Sequence, residues 1–133
     1  MAWTLETTPE ELEVILTAGF IYRDAGNYNH ARDIFQGVRA LVPSSEVPEV
    51  GLGTVAFQQG EFSMAKKHYR RALQRNPNSA WAHAHLGELA LFEKDKDSAR
   101  AHLRVACELD PAGDFGNMAR DLLKLVETVT FLS

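Results

Sequence analysis

The feature that most constrains the fold of this chain is a residue pattern that returns every 34 residues. Three glycines mark it, because Gly19, Gly53 and Gly87 are separated by that interval. Alanines and prolines keep the same spacing, at Ala31, Ala65, Ala99, Pro43, Pro77 and Pro111. Self-similarity at a fixed period of this size is typical of repeat architectures in which short supersecondary units stack on one another. The period therefore predicts a chain of stacked repeat units, and the helix start and stop signals within them predict an all-α fold.

Each recurring residue has a physical reason. A glycine inside a helix costs about 1 kcal/mol relative to alanine, which is tolerable where a neighbouring helix must come closer than a Cβ allows. The alanines serve the same close approach from the second helix of each unit. Large residues fill the remaining space, namely Tyr22, Phe35, Tyr69 and Leu103. The prolines end each second helix, because proline lacks an N–H donor and disfavours helix in the residue before it.

The pattern predicts seven helices, over residues 9–25, 28–41, 46–59, 62–75, 80–93, 97–109 and 114–130. Thr8 is the predicted N-cap of the first, with Pro9 in its first turn and Glu11 completing a capping box. Gly26 and Gly60 lie in the first two turns, whereas the third turn has no glycine. The seventh helix is predicted to cover the last repeat through an apolar stripe of Phe115, Met118, Leu122, Leu125, Val126 and Val129.

Composition favours a single domain over residues 1–133. Its predicted parts are a leader at 1–8, repeats at 9–43, 44–77 and 78–111, and a capping helix at 112–131. The apolar content of 45% in 133 residues is enough for a continuous core. A net charge of −4 indicates neither nucleic acid nor an anionic membrane as a partner. One cysteine, no signal peptide and no membrane-spanning stretch favour a soluble cytoplasmic protein.

The register of small, large and proline residues resembles the tetratricopeptide repeat over almost the whole chain. The resemblance implies an α-solenoid of three tetratricopeptide helix–turn–helix repeats plus a C-terminal capping helix. In such arrays the first helices line a concave groove with their positions two, five, nine and twelve, counted here from Leu12, Glu46 and Ala80. Those positions hold Glu13, Leu16, Phe20, Arg23, Val47, Val50, Thr54, Phe57, Trp81, Ala84, Glu88 and Leu91.

An apolar partner is expected in this groove. Eight of its twelve positions are apolar, which a groove filled with water would not favour. The predicted partner-binding residues are Leu16, Phe20, Val50, Thr54, Phe57, Trp81, Ala84, Glu88 and Leu91. The partner would be an extended apolar peptide or an amphipathic helix. Two other occupants remain open: the leader with Trp3 and Leu5, or a second copy of the chain in a homodimer.

Positions five and nine also indicate what the groove does not bind. Tetratricopeptide modules that capture the C-terminal carboxylate of a peptide use lysine and asparagine on their first helices. Here those positions hold Leu16, Phe20, Val50, Thr54, Ala84 and Glu88. Chaperone tails of that kind are therefore not expected as partners.

A narrower resemblance concerns residues 17–28 and 31–36. They are similar to the opening repeat of bacterial type III secretion translocator chaperones, which keep hydrophobic export substrates soluble. The resemblance implies the same task here, although the leader is short where those chaperones carry an additional N-terminal helix. That difference puts dimerisation through such a helix in doubt. The alternative is a tetratricopeptide scaffold or assembly subunit of a multiprotein complex, unrelated to secretion.

No catalytic, cofactor or metal site is predicted. His83 and His85 are two residues apart and point to different faces of a helix, so they do not form a helical metal site. No phosphate loop follows a strand, and Cys107 has no evident base. A run of basic residues on the fourth helix, from Lys66 to Arg75, lacks the interleaved aromatics of a nucleic-acid surface. An enzyme is therefore not expected.

Overall fold

The structure, a computed structural model, describes residues 7–128. They form seven helices: α1 (Pro9–Asp24), α2 (Tyr28–Leu41), α3 (Val47–Gln58), α4 (Phe62–Arg75), α5 (Ala80–Phe92), α6 (Lys96–Leu109) and α7 (Asp114–Thr128). The all-α prediction is confirmed, and every described boundary lies within one residue of its predicted position. The predicted end of α7 at Thr130, its stripe residue Val129, and the leader residues Trp3 and Leu5 lie outside the described residues.

The chain divides into two compact units, one up to Arg71 and one from Ala72. The first unit holds α1, α2, α3 and most of α4. The second holds the last turn of α4 together with α5, α6 and α7. The single domain with its three repeat boundaries stays a prediction.

The core of the first unit is organised around aromatic rings that fill the space over glycines. A Cβ built on Gly19 would lie 2.8 Å from Cε1 of Phe35, and one on Gly51 would lie 2.7 Å from the same atom. A Cβ on Gly53 would overlap the ring of Tyr69. Both rings are fully buried. The predicted reason for the mid-helix glycines is thus confirmed, because these helices approach closer than a Cβ permits.

The second unit repeats this packing with an aliphatic side chain. A Cβ built on Gly87 would lie 2.5 Å from Cδ2 of Leu103, which is fully buried. Around Leu103 the core consists of small and aliphatic residues, namely Ala84, Ala90, Ala99, Ala106, Ala119 and Val126. Helix α7 packs against both α5 and α6.

The predicted stripe of α7 was wrong in part. Leu125 is 48% exposed, whereas the side of the helix that is fully buried carries Gly116, Ala119 and Val126. The reason is again a close approach, since a Cβ on Gly116 would collide with the backbone carbonyl of Asp110. The thiol of Cys107 reaches the carbonyl of Gly116 at 3.7 Å. Small residues therefore face α6, and the larger ones lie beside them.

The three turns within the repeats share one backbone conformation. Gly26 and Gly60 adopt φ values of 79° and 78°, and Lys94 takes the equivalent place with φ of 60°. This left-handed region favours glycine because a Cβ there meets the following carbonyl. The third turn thus forms without glycine by placing a lysine in a disfavoured conformation.

Candidate partner-binding surface

The structure divides the nine predicted groove residues by burial. Val50 and Ala84 are fully buried, and Thr54 is 5% exposed. The other six are half-buried: Leu16, Phe20 and Phe57 in the first unit, and Trp81, Glu88 and Leu91 in the second. We call these the first-unit set and the second-unit set. Only these six keep side-chain surface that a partner can contact.

In the first-unit set, the residues from α1 rest on the core. Leu16 and Phe20 pack against the cluster formed by Ala31, Phe35, Leu52 and Val55. The rings of Phe20 and Phe35 have centroids 4.9 Å apart and are tilted by 57°. Phe57 contacts Phe62 in the same way, at 5.3 Å and 37°. Leu16 and Phe20 thus pack on the core and Phe57 on a neighbouring ring, and all three side chains are half-buried.

Arg23, at position twelve of the first repeat, ties α1 to α3. Its Nη1 donates to Oγ1 of Thr54 at 2.9 Å, and its Nη2 lies 2.8 Å from the carboxylate of Asp24. Its guanidinium carbon lies 5.0 Å from the ring centroid of Phe20, within the range of a cation–π contact. Thr54 also donates to the carbonyl of Gly51 at 2.8 Å. Thr54 therefore joins two helices, which explains its burial at a position predicted to face the groove.

The second-unit set is partly covered by α7. The ring of Trp81 stacks on that of Phe115, with centroids 5.2 Å apart and 18° between the planes. Leu91 packs on the core cluster to which α7 contributes Ala119 and Val126. Glu88 accepts a hydrogen bond from Nδ1 of His85 at 3.2 Å. The sequence contained the signal for this coverage, because Phe115 lies 34 residues after Trp81 and continues the register into α7.

Two polar side-chain pairs that the sequence reasoning missed occupy equivalent places. In the second repeat, Nδ1 of His68 donates to Oε2 of Glu49 at 3.0 Å, and Nη1 of Arg39 lies 3.5 Å from Oε1 of the same buried carboxylate. In the third repeat, His83 and His102 bring their Nδ1 atoms to 3.1 Å. The 34-residue register would have indicated this correspondence, since Glu49 aligns with His83 and His68 with His102.

Burial controls the charge of His68. Loss of water lowers the pKa of its imidazole below the ordinary value of 6.5, against the hydrogen bond and the negative charge of Glu49, which raise it. The positive charges of Arg71 and Arg39 add to the lowering. His68 is therefore neutral at pH 7 and acts as a hydrogen-bond donor to the carboxylate of Glu49 rather than as its counter-ion.

Over residues 7–128, no three side chains of the metal-binding types lie together as a candidate metal site. In the same range, no helix combines the length and the apolar character that crossing a bilayer requires.

Comparison with known proteins identifies the fold. The tetratricopeptide repeat family model matches residues 50–114. No curated protein matches the chain significantly. The type III secretion translocator chaperone SycD of Yersinia enterocolitica is 20% identical, with a TM-score of 0.75 over 92% of this chain and 87% of that chain. PcrH of Pseudomonas aeruginosa is 23% identical, with a TM-score of 0.78 over 96% and 100%.

A further similar structure is PilF of Pseudomonas aeruginosa, at 23% identity and a TM-score of 0.81, covering 89% of this chain and 53% of that chain. SycD has also been solved with a peptide of the translocator YopD, and PcrH with the chaperone binding region of PopD. At these identities the similarity shows the fold. The chain accordingly has a tetratricopeptide-like fold, with its helices in the layout of these solved structures.

Proposed function

We propose that the protein is a non-catalytic binding module that holds an apolar peptide or an amphipathic helix against its first helices. We propose further that it is a bacterial type III secretion chaperone for a hydrophobic export substrate. The observation that carries the proposal is the half-buried state of large apolar side chains at groove positions of both units, above all Phe20, Phe57 and Trp81.

These side chains are suited to capture an apolar segment. An aromatic ring that is already fixed by a neighbouring ring loses little conformational freedom when a partner binds to it. Phe20 is fixed by Phe35, Phe57 by Phe62, and Trp81 by Phe115. Truncating aromatic anchors of this kind usually costs about 2 kcal/mol or more of binding energy.

The polar groups at the groove positions favour an internal segment of a partner over a C-terminus. A carboxylate is held by several charged or amide donors at once, and positions five and nine of the first helices carry neither lysine nor asparagine. Arg23 already donates to Thr54 and pairs with Asp24. An apolar stretch that presents side chains at regular spacing fits these residues better.

The secretion-specific part of the proposal is supported by the extent of the structural similarity. The fold matches SycD and PcrH over most of their lengths; SycD has been solved with a peptide of the translocator YopD, and PcrH with the chaperone binding region of PopD. A scaffold would use the same fold, so the identity of the partner distinguishes the two functions.

The first experiment is affinity purification from the native host, followed by mass spectrometry of co-purifying proteins. The proposal expects a hydrophobic export substrate that aggregates when expressed alone and stays soluble when expressed with this chain. Recovery of a set of stable, independently folded complex subunits, with no aggregation-prone partner, would contradict the chaperone assignment and support the scaffold.

The second experiment locates the binding face with the recovered partner. Replacing Trp81 with alanine is expected to weaken binding about tenfold or more, because a stacked aromatic surface is lost. Reversing the charges of Lys66, Lys67 and Arg70 together serves as the control, and only a salt-dependent change in the association rate is expected. Loss of binding in the charge-reversal variant, with binding intact in Trp81→Ala, would move the partner to the other face of the repeats.

A further inference from the structure

The outer face of α1 carries an exposed apolar stripe that the proposed groove does not use. Val14 is 69% exposed and Ile21 is 63% exposed, the highest values among the large apolar side chains described. A shallow groove of about 510 Å³ runs along this face. We call it the α1 outer stripe; it is lined by Glu10, Glu13, Val14, Thr17, Ala18 and Ile21.

The repeat register shows that exposure of this face is unusual. Val14 and Ile21 occupy positions three and ten of the first repeat. The same positions in the second repeat hold Pro48 and Val55, and in the third they hold Ala82 and Leu89. Those four residues are all buried, with exposures of 2% or less. The first repeat thus has the apolar residues of a face that is covered in the other repeats, and none of residues 7–128 buries Val14 or Ile21.

Within each unit, the structure shows what kind of element covers such a face. In the first unit, α2 covers α3, with the ring of Phe35 against Gly51 and against Leu52 and Val55. In the second unit, α6 covers α7, with Ala106 and Ala119 in one cluster. Both covering elements are amphipathic second helices, which place small or aromatic residues against the first helix that follows.

The charged residues indicate what a helix that covers α1 should carry. In both units an arginine of the covering helix pairs with a carboxylate of the covered helix: Arg39 with Glu49 at 3.5 Å, and Arg100 with Glu127 at 2.9 Å. On the α1 outer stripe, Glu10 and Glu13 are exposed beside Val14. They provide the acceptors that a basic covering helix would meet.

A second copy of α1 does not meet this requirement. An antiparallel pair of α1 helices would bring Glu10 and Glu13 of one copy towards Asp24 of the other, and like charges at close range are unfavourable. The basic residue at that end, Arg23, is directed to Asp24 and Thr54 of its own chain. The charges of α1 therefore disfavour self-pairing.

We propose that the α1 outer stripe is a docking surface for an amphipathic helix of a partner protein, with an apolar stripe that covers Val14 and Ile21 and with arginine or lysine that reaches Glu10 and Glu13. Apart from Glu13, which lies at groove position two, the residues of this surface lie outside the positions that carry the proposed function. The helix would take the place on α1 that α2 takes on α3.

The probe for the test is a helix-stapled, fluorescently labelled peptide with the sequence of α6, residues 96–109, carrying Cys107→Ser. It has the stripe and the arginines of a natural covering helix. Titrated against the full chain, it is expected to bind saturably and less tightly as salt increases. Val14→Asp or Ile21→Asp should weaken binding about tenfold or more, since each puts a charge into the apolar contact. Both side chains are exposed, so folding should be preserved.

Matched variants separate this surface from the groove. Glu10→Gln with Glu13→Gln should weaken peptide binding several-fold and reduce its salt dependence, whereas Phe57→Ala should leave it unchanged. The proposal is overturned if a scrambled peptide of equal charge binds as tightly, if nothing binds up to millimolar concentration, or if Phe57→Ala abolishes binding. It is also overturned if sedimentation shows a dimer that Val14→Asp dissociates, or if removal of residues 1–6 creates the site, because a second copy or the chain itself would then be the occupant.

Discussion

The two units of the molecule build the same crossing of first and second helices from different side chains. In the first unit the space over Gly53 is filled by the ring of Tyr69, and in the second unit the space over Gly87 is filled by Leu103. Both fillers are fully buried. The comparison shows that the repeat fixes how closely the helices approach, while the chemistry of the filling residue can vary.

The turns and the polar pairs also carry different side chains at equivalent positions of the repeats. Gly60 and Lys94 have φ values of 78° and 60°, so the backbone bends alike whether or not the residue favours that region. The pair Glu49–His68 is joined to Arg39, whereas its counterpart in the third repeat is a contact between two histidines. The first-unit pair is thus an electrostatic network, and the second-unit pair is a contact between imidazoles.

The largest expected effect tests the difference between the two crossings. Gly53→Val should destabilise the protein by about 3 kcal/mol, at the upper end of overpacking, because a buried ring has little freedom to move away. Gly87→Val should cost less, about 1–2 kcal/mol, because the leucine side chain that lies against this site is smaller and more flexible than a tyrosine ring. Urea unfolding followed by circular dichroism measures both. Equal losses would mean that the identity of the filling residue does not matter.

Substitutions in the two polar pairs should have smaller effects on the free energy of unfolding than the glycine substitutions. Glu49→Ala removes the acceptor of the Nδ1–H of His68 and the partner of Arg39 at a buried site, which should cost about 2 kcal/mol. His83→Ala removes one half-buried imidazole and should cost less than about 1 kcal/mol. The same unfolding assay applies, and a greater loss from His83→Ala would reverse the ranking of the two networks.

The turn comparison predicts a gain in stability. Lys94→Gly should stabilise the protein by about 1 kcal/mol, because it removes the penalty of a Cβ in the left-handed region. Lys94→Ala is the control and should be neutral, since alanine keeps the Cβ. Gly60→Ala should lower the free energy of unfolding by about as much as Lys94→Gly raises it. No gain from Lys94→Gly would indicate that the lysine is compensated by its surroundings.

The smallest effect concerns pH. Because burial lowers the pKa of His68 in the folded protein, the unfolded chain takes up its proton first as the pH falls through 6.5. The contribution of His68 to stability is therefore complete above that pH and declines below it, until the folded imidazole also titrates. His68→Gln should flatten this part of the stability profile between pH 7 and mildly acidic pH. An unchanged profile would show that His68 is not the titrating group.

Much of the fold was predictable because spacing alone encodes it. Gly19, Gly53 and Gly87 are constrained by close helix approach, and that constraint is visible in the sequence as a period. The groove was predicted less completely, because position within a repeat does not determine how far a side chain is covered. Thr54 is buried where it accepts a hydrogen bond from Arg23, and Trp81 is partly covered by Phe115, so neither outcome follows from counting positions alone.

The central claim is that apolar side chains at groove positions bind a partner rather than only complete the core. Phe57→Ala tests it most directly, with Phe92→Ala as the control, since Phe92 is 60% exposed and lies outside the groove positions. For both variants the affinity for the co-purified partner is measured by titration, and the free energy of unfolding by urea. We expect Phe57→Ala to weaken binding about tenfold or more with the chain still folded, and Phe92→Ala to leave binding unchanged. Unchanged affinity in Phe57→Ala, or an equal loss in Phe92→Ala, would contradict the claim.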